Sequence, residues 1–129
     1  MKGDTMRKGI YDLETLRKAY NRGDHLKYLF FWGHTPPADG HINESCFSQW
    51  WMDRFTVDGT EYTCAEQFMM AEKARMFGDG EMLSMILKAK HPKEMKAYGR
   101  AVRNFDKDKW DGACYEIVKR GNLAKFSQN

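Results

Sequence analysis

The sequence predicts a single α+β domain that is mostly helical and contains one small antiparallel sheet. Two short apolar runs flank Asp58-Gly59, and four apolar patterns of helical period follow them along the chain. The length of 129 residues suits one hydrophobic core, so residues 1–129 are taken as one domain. Apolar residues make up 42% of the chain and aromatic residues 14%, which is typical of a globular protein.

The first part of the chain combines a helix, a strand and a long irregular segment. Residues 12–20 have apolar positions at helical spacing and are followed by Gly23, so a short amphipathic helix is expected. The apolar run at 28–32 ends at a glycine and indicates a buried strand. Residues 34–49 contain two prolines and no helical period. A loop of this length in a compact domain is often functional.

A hairpin and four helices complete the expected order. Asp58-Gly59 joins residues 55–57 to residues 60–62 and favours a type I′ turn, because both residue types tolerate positive φ angles. Apolar spacing predicts helices at 64–77, 81–90, 92–105 and 110–119, with Gly121 as the stop signal of the last one.

Composition and charge narrow the classes of function. No apolar run approaches the ~20 residues of a membrane span, and the start of the chain has no apolar signal region, so a cytoplasmic protein without a membrane partner is expected. Cys46, Cys64 and Cys114 lie far apart, which favours reduced thiols over a disulfide framework. His34 and His41 lack zinc-site spacing, so no metal is predicted. The net charge of +3 is compatible with a phosphorylated ligand.

Glu66 has a structural and a functional interpretation. Thr63 and Glu66 have the spacing of a capping box, in which Thr63 would cap the helix and Glu66 would occupy its third position. Lys73 falls seven residues later, at nearly the same angle around the helix. A carboxylate and an ammonium on a buried helix need partners or a wet cleft. Such a cleft would suit an anionic sugar, with Lys73 binding phosphate and Glu66 serving the reaction.

Trp110, Arg100 and Arg103 also have two interpretations each. Trp110 begins an apolar helical stripe, which is typical of core packing, and its ring would also suit stacking on a base or a ribose. Arg100 and Arg103 lie on the preceding predicted helix, where they would form either a solvated face or a phosphate clamp.

Four segments resemble the NADAR family, also called YbiA-like proteins. They are YLFFWGHTP, FTVDGTEYTCAEQFMMAEKARMFGD, YGRAVRNFDKDKW and RGNLAKFSQN, and the resemblance covers nearly the whole chain from Leu29 onward. The resemblance implies a compact, mostly helical α+β domain with N-glycosidase activity. Some members hydrolyse phosphoribosylated pyrimidine intermediates of riboflavin synthesis, and others remove ADP-ribose from modified guanine in nucleic acid.

The resemblance also implies which residues form the site. It places the catalytic glutamate at Glu66 and a functional tryptophan at Trp110. It implies no cofactor, and its expected partner is a phosphorylated ribosyl compound or ADP-ribosylated nucleic acid. The substrate-binding positions that it implies are Trp32, Ser48, Gln49, Lys73 and Arg100, to which the clamp interpretation adds Arg103.

The resemblance leaves two hypotheses for the activity. Relatives continue beyond the AKFSQN segment with an acidic residue shortly before a Trp-Gly motif, so the chain is expected to lack the family's C-terminal segment. In the first hypothesis Glu66 stabilises positive charge on the ribose, or activates water, during hydrolysis. In the second, the chain is a module that binds ADP-ribose or a related nucleotide without cutting it.

Overall fold

A computed structural model describes residues 9–10, 12–31 and 33–129 of the chain, which divides into two compact units, Met1–Phe30 and Phe31–Asn129. The first unit contains helix α1 (Leu13–Asn21), which confirms the helix predicted at 12–20. Its N-cap is Asp12, whose carboxylate accepts a hydrogen bond from the Thr15 N–H at 2.8 Å. This bond satisfies one of the free N–H groups of the first helical turn.

The strand predicted at 28–32 is wrong for the part of this run that the structure describes. Residues 28–31 form no strand, and Phe30 is 80% exposed. An apolar run becomes a buried strand only when a neighbouring strand pairs with it and a core covers it. Among the described residues no strand pairs with this run, so the prediction from composition alone was wrong. Trp32, at the end of the run, lies outside the described residues.

The second unit contains the hairpin and the remaining helices, which confirms the predicted α+β class. A short 3₁₀ turn (Glu44–Phe47) interrupts the long irregular segment that precedes the hairpin. The three cysteines are free thiols, as the sequence predicted. The elements are β1 (Phe55–Val57), β2 (Thr60–Tyr62), α2 (Ala65–Met76), α3 (Gly80–Lys88), α4 (Pro92–Arg100) and α5 (Lys107–Gln128).

The hairpin has the predicted turn and places two aromatic rings on the core. Asp58 has a φ of 51° and Gly59 a φ of 80°, as a type I′ turn requires. Phe55 lies opposite Tyr62 across the ladder, and their ring centroids are 5.9 Å apart. Both rings pack on Phe68, which has no exposed surface.

Helix α2 lies at the centre of the second unit. Helices α3, α4 and α5 and strand β2 all pack against it. Phe68, Ala71 and Ala74 on this helix are fully buried. Because α2 is covered on several sides, the polar residues of its first turn, Glu66 and Gln67, are buried as well.

Two predicted helix ends were wrong. Helix α4 ends at Arg100 rather than at residue 105, and Asn104 beyond it has a left-handed φ of 60°. Helix α5 runs through Gly121 to Gln128, although Gly121 was predicted to end it. Gly121 is buried against α2, where an added Cβ would lie 2.6 Å from the Phe68 ring. Its small size therefore serves close packing, not chain reversal.

No helix among the described residues combines the length and the apolar character that crossing a membrane requires. The longest of them, α5, carries charged residues along its 22-residue length.

Candidate active site

Glu66 lies in the first turn of α2 and is 5% exposed. The predicted capping box is wrong, because the helix begins one residue later than expected. Cys64 is the N-cap and makes no side-chain cap bond. Gln67 therefore occupies the third position, and its Oε1 accepts hydrogen bonds from the Thr63 N–H at 2.8 Å and the Thr63 hydroxyl at 3.2 Å. Gln67 takes the role predicted for Glu66, which leaves the Glu66 carboxylate outside the cap.

The Glu66 carboxylate has a raised pKa. Burial is the largest cause, because removing the ionised form from water is unfavourable. The charge of Lys96, hydrogen bonding from the Trp50 indole and the charge of Lys73 act in the opposite direction. A buried carboxyl group with a raised pKa is suited to taking up and releasing protons near neutral pH.

Lys96 and Trp50 lie beside Glu66 and were not predicted from the sequence. The Lys96 ammonium lies 5.8 Å from the centre of the Trp50 ring, and both groups act on Glu66. The sequence contained one usable signal, since Lys96 precedes Arg100 by one helical turn and so shares its face of α4. The proximity of Trp50 to Glu66 follows from the tertiary fold and had no signal of that kind.

Lys73 connects the carboxylate with the predicted aromatic and cationic residues. Its Nζ lies 4.5 Å from the centre of the Phe105 ring and 5.7 Å from that of Trp110, which are cation–π distances. Burial lowers the pKa of Lys73, the neighbouring Arg100 lowers it further, and Glu66 raises it. The structure thus groups Glu66, Lys73, Arg100 and Trp110, four of the residues that the sequence predicted as one site.

The grouping depends on a close approach between α4 and α2. A Cβ at Gly99 would lie 1.8 Å from the Sδ of Met70 and 3.3 Å from its Cβ, so any larger residue would require this buried side chain to move. Lys96 and Arg100 flank Gly99 on α4. The approach therefore brings both cations towards Glu66 and Lys73 on α2.

Ser48 and Gln49 lie in the segment that leads to Glu66. The Gln49 carbonyl accepts a hydrogen bond from the Glu66 N–H at 3.0 Å, and the Gln49 side-chain oxygen accepts one from Asn122 Nδ2 at 2.8 Å. Ser48 Oγ accepts from the Trp50 N–H at 3.2 Å. These contacts show both residues supporting the site, and direct substrate binding by either remains a prediction.

Arg103 has a structural partner instead of a place beside Lys73. Its Nη2 and Nε donate to the two carboxylate oxygens of Asp79 at 2.7 and 3.1 Å, and its backbone N–H donates to Asp79 at 2.9 Å. Asp79 also caps α3 by accepting from the Met82 N–H. This bidentate pair ties the segment after α4 to the start of α3. A role of Arg103 in substrate binding stays a prediction.

The Asp79 pair should make stability depend on pH in acid. The hydrogen bonds from Arg103 hold the pKa of Asp79 far below its ordinary value of 3.8. The native state then binds this proton less tightly than the unfolded state, so the stabilisation is complete above about pH 4 and is lost as pH falls below it. Asp79→Asn keeps a capping oxygen but removes the charge. We expect this variant to be less stable than the parent at pH 7, and the difference to narrow as pH falls below about 4.

Urea unfolding from pH 3 to pH 7 measures this difference. Glu81→Gln is the matched control, since Glu81 contacts the same guanidinium at 3.4 Å from an exposed position. A constant difference between Asp79→Asn and the parent across this pH range would contradict the prediction.

The chemistry of the grouped residues suits an anionic ligand with an aromatic part. One buried carboxylate lies among ammonium and guanidinium groups, and aromatic rings lie beside them. In the described part of the chain, no three His, Cys, Asp or Glu side chains come together as metal ligands do.

Comparisons with known proteins match the chain to one family. The family model described as the NADAR domain matches residues 30–129. An N-glycosidase of Acanthamoeba polyphaga mimivirus is 42% identical over 109 residues, which are 80% of this chain and 62% of that protein. Protein irg-1 of Caenorhabditis elegans is 36% identical over 72 residues, which are 54% of this chain and 34% of that protein. The chain therefore spans less than two thirds of the length of each of these relatives.

Proposed function

Because the chain belongs to the NADAR family, we propose that it is an N-glycosidase that hydrolyses the bond between a base and a phosphorylated ribose. The observation that carries the proposal is the position of Glu66, a buried carboxylate with Lys96 and Lys73 as charged neighbours. The mimivirus protein named as an N-glycosidase, at 42% identity, supports the reaction type.

Glu66 has the properties that N-glycoside cleavage requires. The departing base leaves positive charge on the ribose, and a carboxylate beside the sugar stabilises that charge or takes a proton from the attacking water. A carboxylate in a partly desolvated site interacts more strongly with a developing charge than one in water. The raised pKa of Glu66 also brings it closer to neutral pH, where proton transfer from water is more favourable.

Lys73 and Arg100 support a phosphate-bearing substrate. The two cations are close enough for Arg100 to lower the pKa of Lys73, so they repel each other in the free protein. A phosphate bound between them would relieve this repulsion and gain charge-assisted hydrogen bonds. Trp110, in the first turn of α5 and partly exposed, would stack on the base or the ribose beside them.

The test compares three substrates with the purified chain. They are a phosphoribosylated pyrimidine of riboflavin synthesis, an oligonucleotide with ADP-ribosylated guanine, and an unphosphorylated nucleoside with the same base as the first. We expect base release, followed by chromatography, from at least one of the two phosphate-bearing substrates and from the nucleoside only at a much lower rate. Release from neither phosphate-bearing substrate would contradict the proposal. If calorimetry then showed tight binding of ADP-ribose, a non-catalytic binding module would be favoured.

A variant of the proposed clamp sharpens the test. Lys73→Met removes the ammonium but keeps an unbranched apolar stem beside Phe105. We expect it to raise KM for the cleaved phosphate-bearing substrate by roughly tenfold or more, because a hydrogen bond to a charged group is lost. Lys119→Met, at an exposed position of α5, is the control and should leave KM unchanged.

A further inference from the structure

Lys125 lies near the end of α5 and is buried, with only 1% of its surface exposed. Its Nζ donates hydrogen bonds to the carbonyl oxygens of Cys46 at 2.7 Å and Ser48 at 3.0 Å. Burial is the largest influence on its pKa and lowers it, while Cys46, Asp53 and Cys64 raise it. An ammonium buried on backbone carbonyls is costly compared with an apolar side chain of the same length. Its presence therefore calls for a role beyond filling space.

The two carbonyl groups belong to segment 46–50, which begins in the second half of the 3₁₀ turn and continues to Trp50. Asn122, one helical turn before Lys125, binds the same segment through the side chain of Gln49 at 2.8 Å. Its Nδ2 also donates to the Val118 carbonyl at 2.9 Å, which fixes the amide on α5. The end of α5 thus holds segment 46–50 at three places.

The same segment holds Glu66. The Gln49 carbonyl accepts from the Glu66 N–H at 3.0 Å, and the Trp50 side chain lies close enough to the Glu66 carboxylate to lower its pKa. Ser48 Oγ accepts from the Trp50 N–H and so fixes the backbone that carries the indole. Hydrogen bonds therefore connect the Lys125 ammonium to segment 46–50, and connect this segment to the backbone of Glu66.

We propose that Lys125 is a positioning residue for Glu66, because its ammonium fixes segment 46–50 and this segment fixes the carboxylate. Its effect on catalysis rests on the proposed function, whereas its effect on the environment of Glu66 does not. The alternative is that Lys125 stabilises the fold without acting on Glu66.

Gln128 provides a matched control on the same helix. Its Nε2 donates to the Thr56 carbonyl at 2.9 Å, and its Oε1 accepts from the Thr56 N–H at 2.8 Å. Gln128→Ala therefore removes two bonds between a side chain and the backbone, as Lys125→Met does. These bonds are to β1, and within the described residues Gln128 makes no side-chain hydrogen bond to segment 46–50.

The direct test follows the ¹³C resonance of the Glu66 carboxyl group through a pH titration by NMR. We expect Lys125→Met to raise the pKa of Glu66, because the Trp50 side chain, which lowers this pKa, would no longer be held beside the carboxylate. Lys73 and Lys96, the charged groups that face Glu66 from α2 and α4, and Arg100 beside Lys73 are the same in all the proteins compared. Gln128→Ala should leave the titration unchanged. An unchanged titration in Lys125→Met, or an equal shift in Gln128→Ala, would overturn the proposal.

Kinetics supply the second readout. We expect Lys125→Met to reduce kcat by roughly ten- to a hundredfold with little change in KM, since a displaced catalytic group slows the chemical step. The acidic limb of the rate profile should move to higher pH together with the pKa of Glu66. If the parent protein releases no base, the proposed function fails, while the titration still decides the role of Lys125.

Asn122→Ala covers the case in which Lys125→Met does not fold. It frees the Gln49 side chain without removing a buried charge, so the same upward shift of the Glu66 pKa is expected at smaller size. A folded Asn122→Ala protein with the titration of the parent would then count against the proposal.

Discussion

Replacement of Glu66 by glutamine is expected to reduce base release by about 10²- to 10⁴-fold while the protein remains folded. Glutamine has nearly the same shape, but it neither takes a proton from water nor carries the negative charge that stabilises the ribose cation. Rates measured at saturating substrate, with circular dichroism to verify the fold, give the result. Turnover at the parental rate would remove Glu66 from the mechanism.

The control for this substitution lies on the same helix. Glu72 is partly buried and pairs with Arg75 at 2.9 Å and with Arg120 at 3.0 Å. Glu72→Gln should therefore lower stability and leave the rate of base release close to the parental value. A comparable loss of rate in both variants would indicate damage to α2 as a whole.

Glu66→Gln should also increase the stability of the protein at neutral pH. Because the pKa of Glu66 is raised in the native state, that state binds the proton more tightly than the unfolded state, whose ordinary value is 4.5. Stability due to this group is thus present below the unfolded value and is lost as pH rises through the native one. Glutamine does not ionise, so Glu66→Gln removes this loss of stability. Its melting temperature should exceed that of the parent at pH 7 and converge with it near pH 4.

Alanine at Gly121 is expected to destabilise the protein, whereas alanine at Gly112 of the same helix should stabilise it. The new methyl group at Gly121 would lie 2.6 Å from the ring of Phe68, which is fully buried. Overpacking of this kind costs about 1–3 kcal/mol, against a gain of ~1 kcal/mol from helix propensity. Nothing lies within 4 Å of the corresponding position at Gly112, so only the gain applies there. Urea unfolding of the two variants should show opposite signs, and a stabilised Gly121→Ala would contradict the packing argument.

Local chemistry made some elements predictable from the sequence. The hairpin depends on two adjacent turn residues, Asp58 and Gly59, whose φ preferences act without the rest of the protein. The helices follow from their apolar period, which also placed Lys73 on the same face as Glu66. In each case the deciding interactions are a few residues apart in the chain.

The errors arose where distant residues decide the structure. Gly121 was interpreted as a helix end, although the ring of Phe68 on another helix explains its size. The N-cap was predicted at Thr63, one residue before its position at Cys64. Glu66 and Gln67 have equivalent capping chemistry, and only the fold determines which of them bonds to Thr63. Lys96 shares a face of α4 with Arg100, but its proximity to Glu66 depends on the approach of α4 to α2. The proximity of Trp50 depends on the path of segment 46–50, which has no local signal.

The two hydrogen bonds between Gln128 and Thr56 also affect how the hairpin meets other molecules. Thr56 is central in β1, and the side-chain amide of Gln128 occupies both its backbone donor and its backbone acceptor. An uncovered strand edge offers such groups as a template for pairing with another chain, which is a common route to aggregation. A single glutamine therefore performs the task that a neighbouring strand would perform in a larger sheet, and it closes this edge to intermolecular β-pairing.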